Sequence, residues 1–362
     1  MTRKQWFVLS LIAGIAAGPG ASRPAHAADC DGPFSAGYRV LAMDNGRKVA
    51  VWYPTRTAEP PATKRRAGAG FASRVARDAP PAACPRVPLI LFSHGWGGCG
   101  TQLIFFTEEL ARHGYVVAAP DHADAACTVG SDDMRLDRLR LDASFLEPAR
   151  WDERSHLGRL QDLRAAIGRV AADAALAGIA DASRIGAAGH SLGGYAALGM
   201  AGGWPSWKTA EVRAVLAFSP YAAPFVIHGA LARLHVPVMY QGGTLDWGLT
   251  AALEGPRGAY AQSAPPKFFV KLDGATHLDW TNLACAGTRD VPSCLQERPN
   301  VAMIDRYGIA FFDRYLKGRA GELLDSPGRG LSAYRFEVTS RPAAGAAARS
   351  VEAPSTERAA GF

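Results

Sequence analysis

Arg184-Ile-Gly-Ala-Ala-Gly-His-Ser-Leu-Gly-Gly-Tyr195 is the stretch that decides the fold. Arg184–Ala188 reads as a short buried strand and Leu192–Ala201 as a helix. Gly189 to Gly193, with Ser191 at the centre, must then turn the chain sharply between them. Such a turn strains the backbone of its middle residue and leaves the Ser191 Oγ exposed. Small flanking residues let strand and helix approach. The helix offers its first amides to a developing negative charge. Gly-x-Ser-x-Gly also occurs by chance, as an ordinary glycine-rich turn capped by serine. The strand–turn–helix context separates the two readings.

Outward from this turn, strand and helix alternate. Toward the N-terminus, Gly37–Met43 and Lys48–Tyr53 read as early strands, the second stopped by Pro54. Thr55–Arg86, rich in Ala, Pro and Arg and without periodicity, reads as a surface loop or insertion. Val87–Phe92 is a continuous apolar run, as in strands covered on both faces. Helical spacing follows over Gln102–His113, then a strand over Tyr115–Ala119. Asp121–Arg150 is polar and irregular, either a cap over a cleft or a solvated loop. Its charges are mixed: Asp132, Asp133, Arg135, Asp137, Arg138 and Arg140. Leu157–Ala177 is an amphipathic helix, with Leu160, Leu163, Ile167 and Val170 on one face. Val212–Phe218, Val236–Tyr240 and Phe268–Leu272 are further strands, and Val301–Leu316 a last helix. The alternation predicts an α/β domain with a mostly parallel sheet and helices on both faces.

The carrying motifs are Val51-Trp-Tyr-Pro54, Phe92-Ser-His-Gly-Trp-Gly-Gly98, Ala118-Ala-Pro-Asp-His122, Gly189-His-Ser-Leu-Gly-Gly194, Gly274-Ala-Thr-His277 and Phe311-Phe-Asp-Arg-Tyr-Leu-Lys-Gly318. On these residues the chain resembles the α/β-hydrolase superfamily over roughly residues 35–320. Within it the chain is similar to the branch of platelet-activating-factor acetylhydrolase-like and dienelactone hydrolase-like serine esterases. The resemblance implies the α/β-hydrolase fold, a Ser–acid–His triad and no cofactor or metal. Dienelactone hydrolases carry Cys where this chain has Ser191. Cutinase-like polyester hydrolases share the architecture.

Chain order in this fold runs Ser, acid, His. Asp246 follows the Val236–Tyr240 strand and His277 follows the Phe268–Leu272 strand. Both thus fall at C-terminal strand ends, where open parallel sheets collect their chemistry. His277 is the expected general base and Asp246 the acid that orients it. Asp273 and Asp279 are rival acids, too close in sequence to reach the ring without a sharp turn. The oxyanion expected of acyl transfer would be held by the Leu192 N–H, next to the nucleophile. The family pattern assigns the second donor to Trp96. His94, in the same loop, reads as structural. Trp247, Trp280, Tyr221 and His122 are the candidate pocket residues, with core packing as the alternative.

Composition fits this reading. The chain has 362 residues, 48% of them hydrophobic and 20% charged, which excludes collagen-like, coiled-coil and disordered classes. The formal charge is +7, but Arg3, Lys4 and Arg23 lie in residues 1–27, which carry no acid. Without them, 37 basic residues face 33 acidic ones, a mild +4 that does not suggest nucleic acid. Arg3 and Lys4, the apolar run Trp6–Ala17 and Ala25-His26-Ala27 together read as a signal peptide cleaved after Ala27. The expected organisation is a signal peptide over 1–27, a hydrolase domain over 28–339 and a disordered tail over 340–362. No stretch is apolar enough to span a membrane. Six cysteines in an exported chain suggest disulfides. Cys285–Cys294 is favoured and Cys99–Cys127 is second, with Cys30 and Cys84 left over.

The sequence therefore predicts a secreted or periplasmic serine carboxylic-ester hydrolase, carboxylesterase- or lipase-like, acting on a small-molecule or lipid ester. The alternatives are a peptidase or acyltransferase on the same triad, a polyester or cutin-type hydrolase, and a binding protein that has kept the fold.

Overall fold

The computed structural model describes residues 32–60, 66–67, 71–131, 135, 137 and 142–338. The signal peptide, Cys30, most of the charged run 132–141 and the tail lie outside the described residues.

Ten strands form one sheet: β1 (Ser35–Ala42), β2 (Lys48–Thr55), β3 (Ala76–Arg77), β4 (Val87–Ser93), β5 (Val116–Pro120), β6 (Ala180–His190), β7 (Val212–Phe218), β8 (Val238–Gly243), β9 (Lys267–Leu272) and β10 (Leu331–Glu337). Their order is β10-β9-β8-β7-β6-β4-β5-β2-β1-β3. From β9 to β5 all neighbours are parallel. β2 and β10 join antiparallel. Five helices matter for the site: α1 (Ile104–Arg112), α2 (Leu157–Ala172), α3 (Leu192–Leu198), α4 (Trp247–Glu254) and α5 (Pro299–Lys317).

Alternation along the strands sorts the core into two layers. Leu89, Leu91, Val116 and Ala118 face one side and pack with Leu160, Leu163 and Val170 of α2 and Tyr195 of α3. Ile90, Phe92, Val117 and Ala119 face the other, with Phe105 and Phe106 of α1 and Ile304, Phe311 and Phe312 of α5. Central strands with both faces covered explain their unbroken apolar runs.

Several boundaries differ from the sequence reading, each for a local reason. β2 runs through Pro54 to Thr55, because its ladder to β5 ends at Trp52 and the missing N–H breaks nothing there. α2 ends at Ala172 and not Ala177. The Asp173 carboxylate accepts from the Ala175 and Leu176 N–H groups, both at 3.1 Å, and draws the chain out of the helix. In the described parts of the 55–86 segment, the chain makes regular contacts with the sheet. Ala76–Arg77 adds an edge strand beside β1, and Tyr53 and Thr55 donate to the Ala79 and Pro80 carbonyls. β10 had no sequence signal. It is an edge strand, with Phe336 stacked on Phe268 at 6.1 Å.

Register brings the functional loops together. Ser93 pairs with Gly189, His190 with Phe218, Phe218 with Gln241, and Gly243 with Leu272. The C-terminal ends of five adjacent parallel strands thus lie side by side.

Candidate active site

Ser191 sits between β6 and α3 at φ 55°, ψ −118°, one of four described non-glycine residues with positive φ. A backbone this unusual costs roughly 1–3 kcal/mol and persists only when its surroundings enforce it. They do: the Ser191 N–H donates to Phe218 O at 3.0 Å, and Ser191 O accepts from the Tyr195 and Tyr221 N–H groups at 3.1 and 2.9 Å. The flanking glycines are required by contact. A Cβ on Gly189 would lie 2.2 Å from Gly193 O, and one on Gly193 only 1.9 Å from Ser93 O.

Asp246, after β8, and His277, after β9, meet at the same edge. His277 Nδ1 is 3.3 Å from Asp246 Oδ2. Leu245 N–H donates to Ala275 O at 3.0 Å, locking the two loops together. The His277 carbonyl accepts from His190 Nε2 at 3.0 Å. With Nδ1 on the acid side, Nε2 is the nitrogen of His277 left for a nucleophile. Asp273 and Asp279 are engaged elsewhere: Asp279 closes a capping box with Thr276, and Asp273 accepts from Thr244.

Sequence reasoning missed Ser219. It follows β7 directly, is buried and has φ 38°. Its hydroxyl donates to Asp246 Oδ2, and its oxygen lies 3.0 Å from His277 Nδ1. Ser219 therefore bridges Asp246 and His277. Its place at a strand end was the one available signal.

The loop after β4 carries the second candidate oxyanion donor. Gly95 N–H donates to Gln102 Oε1 at 2.6 Å and Gly97 N–H to Asp124 Oδ2 at 3.2 Å. Between them, the Trp96 N–H has no hydrogen-bond partner among the described residues, and neither has the Leu192 N–H. His94 is buried, with Nδ1 on Gly95 O at 2.7 Å and Nε2 accepting from the His122 N–H at 3.0 Å. Burial, with the Arg159 charge nearby, holds its pKa down to about 4, so it serves as a neutral strut.

Two pocket expectations need correction. Trp280 is fully buried in the core, its indole N–H on Gln241 Oε1 at 3.1 Å, so it lines no cleft. His122 is also buried, between Ser93 Oγ at 2.8 Å and Asp162 Oδ2 at 3.1 Å. That trio has the hydrogen-bond order of a Ser–His–Asp triad, but none of its members is more than 2% exposed, so no substrate reaches it. Burial also pushes the His122 pKa well below the ordinary value. Trp247 is the opposite case, exposed beside Asp246. Tyr221 is half-buried beside Ser191, and its hydroxyl donates to Phe145 O at 2.6 Å. Phe145, not singled out by sequence, sets its ring edge-on to Trp96 and to Tyr221 at 6.5 and 5.1 Å. The described end of the 121–150 segment thus packs over the site through two short 3-10 turns.

Cys99–Cys127 and Cys285–Cys294 are both bonded, and Cys84 is disulfide-bonded too. The first pair ties the loop after β4 to the loop after β5. Among the described residues no cluster of His, Cys, Asp or Glu could hold a metal. None of the described helices is long and apolar enough to cross a membrane.

Residues 70–136 match the family of platelet-activating factor acetylhydrolase, isoform II. That segment spans β4, α1, β5 and the Trp96 loop. The whole fold is similar to a ferulic acid esterase from Streptomyces cinnamoneus, with TM-score 0.58 and 23% identity, covering 82% of this chain and 94% of that one. This is an α/β-hydrolase fold. No curated protein matches the chain. The sheet places Ser191, Asp246 and His277 after its sixth, eighth and ninth strands, the order in which a Ser–acid–His triad occurs along this fold.

Proposed function

We propose that the protein is an exported serine hydrolase that cleaves carboxylic esters through an acyl-enzyme. The observation that carries the reading is the strained Ser191 elbow, with the Asp246–His277 pair on the same sheet edge. The unpartnered Trp96 and Leu192 amides add to it. Ser191 Oγ attacks the acyl carbon and its proton passes to His277 Nε2. The oxyanion is held by the Trp96 and Leu192 N–H groups, each worth roughly 2.7–4 kcal/mol of barrier lowering. The C–O bond breaks as His277 returns the proton to the departing alcohol. Water then gives a proton to His277 and its oxygen to the acyl carbon. The acid leaves and Ser191 regains its proton. Asp246 and Ser219 hold Nδ1 protonated, so that Nε2 is the basic nitrogen. The disulfides suit an exported chain.

The Phe145, Trp96 and Tyr221 rings favour a planar or apolar acyl group. A second substrate reading, an aggregated or polymeric ester, has its own support. Leu245, Trp247 and Leu278 are all about half exposed or more and directly flank Asp246 and His277.

The deciding experiment is hydrolysis of p-nitrophenyl esters from acetate to palmitate, with methyl ferulate added, by mature protein and Ser191→Ala. Turnover lost in the variant supports the mechanism. Full activity in Ser191→Ala refutes it. Soluble esters compared with emulsions or polyester particles separate the two substrate readings, and matched amides test the peptidase alternative.

A further inference from the structure

This inference rests on the reading of Ser191 as nucleophile and the Trp96 N–H as oxyanion donor. The loop from His94 to Gly97 has no regular structure, so something must aim that N–H. Arg159, on α2, lies beneath it and is 3% exposed. Its Nη1 donates to His94 O at 2.5 Å and to Ser93 Oγ at 3.3 Å. Its Nη2 donates to Gly95 O at 3.3 Å and to Asp124 Oδ2 at 2.6 Å. The same Asp124 oxygen accepts the Gly97 N–H.

Gly95 O and the Trp96 N–H belong to one peptide unit. That unit is planar and trans, so its carbonyl and N–H point in opposite directions. Arg159 and His94 both donate to the carbonyl from the buried side. The N–H must then face away from them. Asp124, by gripping Gly97, fixes the other end of the same short segment.

We propose that the ion pair of buried Arg159 with half-buried Asp124 is a positioning device for the oxyanion site, which sets the Gly95–Trp96 peptide plane and so aims the Trp96 N–H. The pair touches no reacting atom. Its effect belongs to the transition state, because the Trp96 N–H matters most when charge is on the oxygen. The fork matters as well as the charge, since one lysine ammonium cannot reach the His94 and Gly95 carbonyls and Asp124 in a fixed plane.

The test uses Arg159→Lys, Arg159→Met and Asp124→Asn in the mature protein, with Ser191→Ala alongside. Three quantities are read: kcat and KM on p-nitrophenyl acetate, the Ki of an arylboronic acid, which forms a tetrahedral adduct on serine, and the pH profile of kcat/KM. The expected result is a kcat loss of roughly 30- to 100-fold in both Arg159 variants, with KM within about threefold. Boronate binding should weaken by the same factor. The pH midpoint should stay in place, because the Asp246–His277 pair is untouched. A loss of folding alone would not weaken the boronate in the protein that remains folded. Wild-type kcat in folded Arg159→Lys overturns the proposal, since charge without the fork would then suffice. So does a kcat loss with unchanged boronate affinity. If the Arg159 variants do not fold, Asp124→Asn decides, with a loss of about tenfold or more expected. Turnover that survives in Ser191→Ala would instead refute the functional reading itself.

Discussion

Gly193→Ala should pull apart the two halves of the oxyanion site. A Cβ built on Gly193 lies 1.9 Å from Ser93 O, 2.5 Å from Ser93 C and 2.7 Å from His94 O. All three are backbone atoms, so no side chain can rotate away. Ordinary contact begins at 3.4 Å, which leaves a shortfall of 1.5 Å against Ser93 O. The start of α3 and the end of β4 must separate by that distance. Neither moves freely: β4 is paired on both sides, and the register of Ser93 with Gly189 ties it to the strand that carries Ser191. Leu192, the residue just before Gly193, carries one of the two proposed oxyanion N–H groups and the Trp96 loop the other. Misplacement by about 1 Å can cost roughly 100-fold in rate, and overpacking typically costs about 1–3 kcal/mol of stability. Gly193→Ala should therefore lose about 100-fold or more in kcat on p-nitrophenyl acetate, measured on protein whose near-ultraviolet circular dichroism matches wild type. Its Tm should fall by several degrees. Gly168→Ala is the control. That glycine is exposed within α2, nothing lies within 4 Å of its built Cβ, and alanine should stabilise by about 0.5–1 kcal/mol. A Gly193→Ala enzyme with kcat within threefold of wild type and an unchanged Tm would refute the elbow geometry.

Three further outcomes follow from the same contacts. Ser219→Ala removes the bridge but leaves the direct 3.3 Å contact between Asp246 and His277. A drop of about tenfold in kcat, or ~1.4 kcal/mol, is expected, and a change below twofold would show that the bridge is idle. Burial holds His94 neutral, its pKa about 4 against 6.5 when unfolded, so between those values the unfolded chain binds the extra proton and stability falls as pH falls. Urea titrations from pH 7 to 4.5 should give His94→Asn a pH slope shallower by about 1 kcal/mol per unit near pH 5.5; an equal slope would mean that His94 is charged in the fold. Glu108, raised to about 7 by burial, acts in the opposite sense, which is why the variant and not the raw profile is the test. Replacing Cys99 and Cys127 by Ser reopens a link across 28 residues, for a loss of roughly 3–4 kcal/mol by loop entropy. Opening the 9-residue link of Cys285–Cys294 should cost less, and chemical denaturation of the two double variants checks the order.

Much of the frame was legible because it depends on local pattern. Apolar runs marked the central strands, three- and four-residue spacing marked α2 and α5, and one glycine pattern marked the elbow. Chain order pointed to Asp246 and His277, and the fold brings these two side chains to 3.3 Å at one sheet edge. What stayed hidden depends on tertiary contact. Phe145 sits in a polar, irregular stretch, and nothing in its neighbours announces that Tyr221 will hold its carbonyl. Trp280 and His122 sit beside the candidate catalytic motifs, yet their side chains turn inward, because Gln241 and the Ser93–Asp162 pair offer buried partners. Proximity in sequence fixes where a residue's backbone lies, not which way its side chain points. β10 is an edge strand whose pairing is set by β9, so its sequence need not carry the signature of a central strand.

Ser219 joins these threads. Ser191 and Ser219 both hold positive φ at neighbouring strand ends, and the backbone links them directly. The Ser191 N–H reaches Phe218 O, and the Tyr221 N–H returns to Ser191 O, enclosing Ser219 between two bonds to the elbow. The strained backbone at Ser191, the proposed nucleophile, is therefore braced against the strained backbone at Ser219, whose hydroxyl bridges Asp246 and His277. On the proposed mechanism, Ser191 and His277 are aligned through one short segment, residues 218–221, as well as through the sheet. A change that relaxes this segment should disturb Ser191 reactivity and His277 orientation together. A Ser219→Gly variant, freed of the Cβ strain at φ 38°, tests this against Ser219→Ala. Both lose the hydroxyl, but only glycine releases the brace, so a larger loss of phosphonate labelling at Ser191 is expected for glycine. Equal labelling rates in the two variants would confine Ser219 to its hydroxyl and leave the elbow held by its backbone hydrogen bonds and flanking glycines.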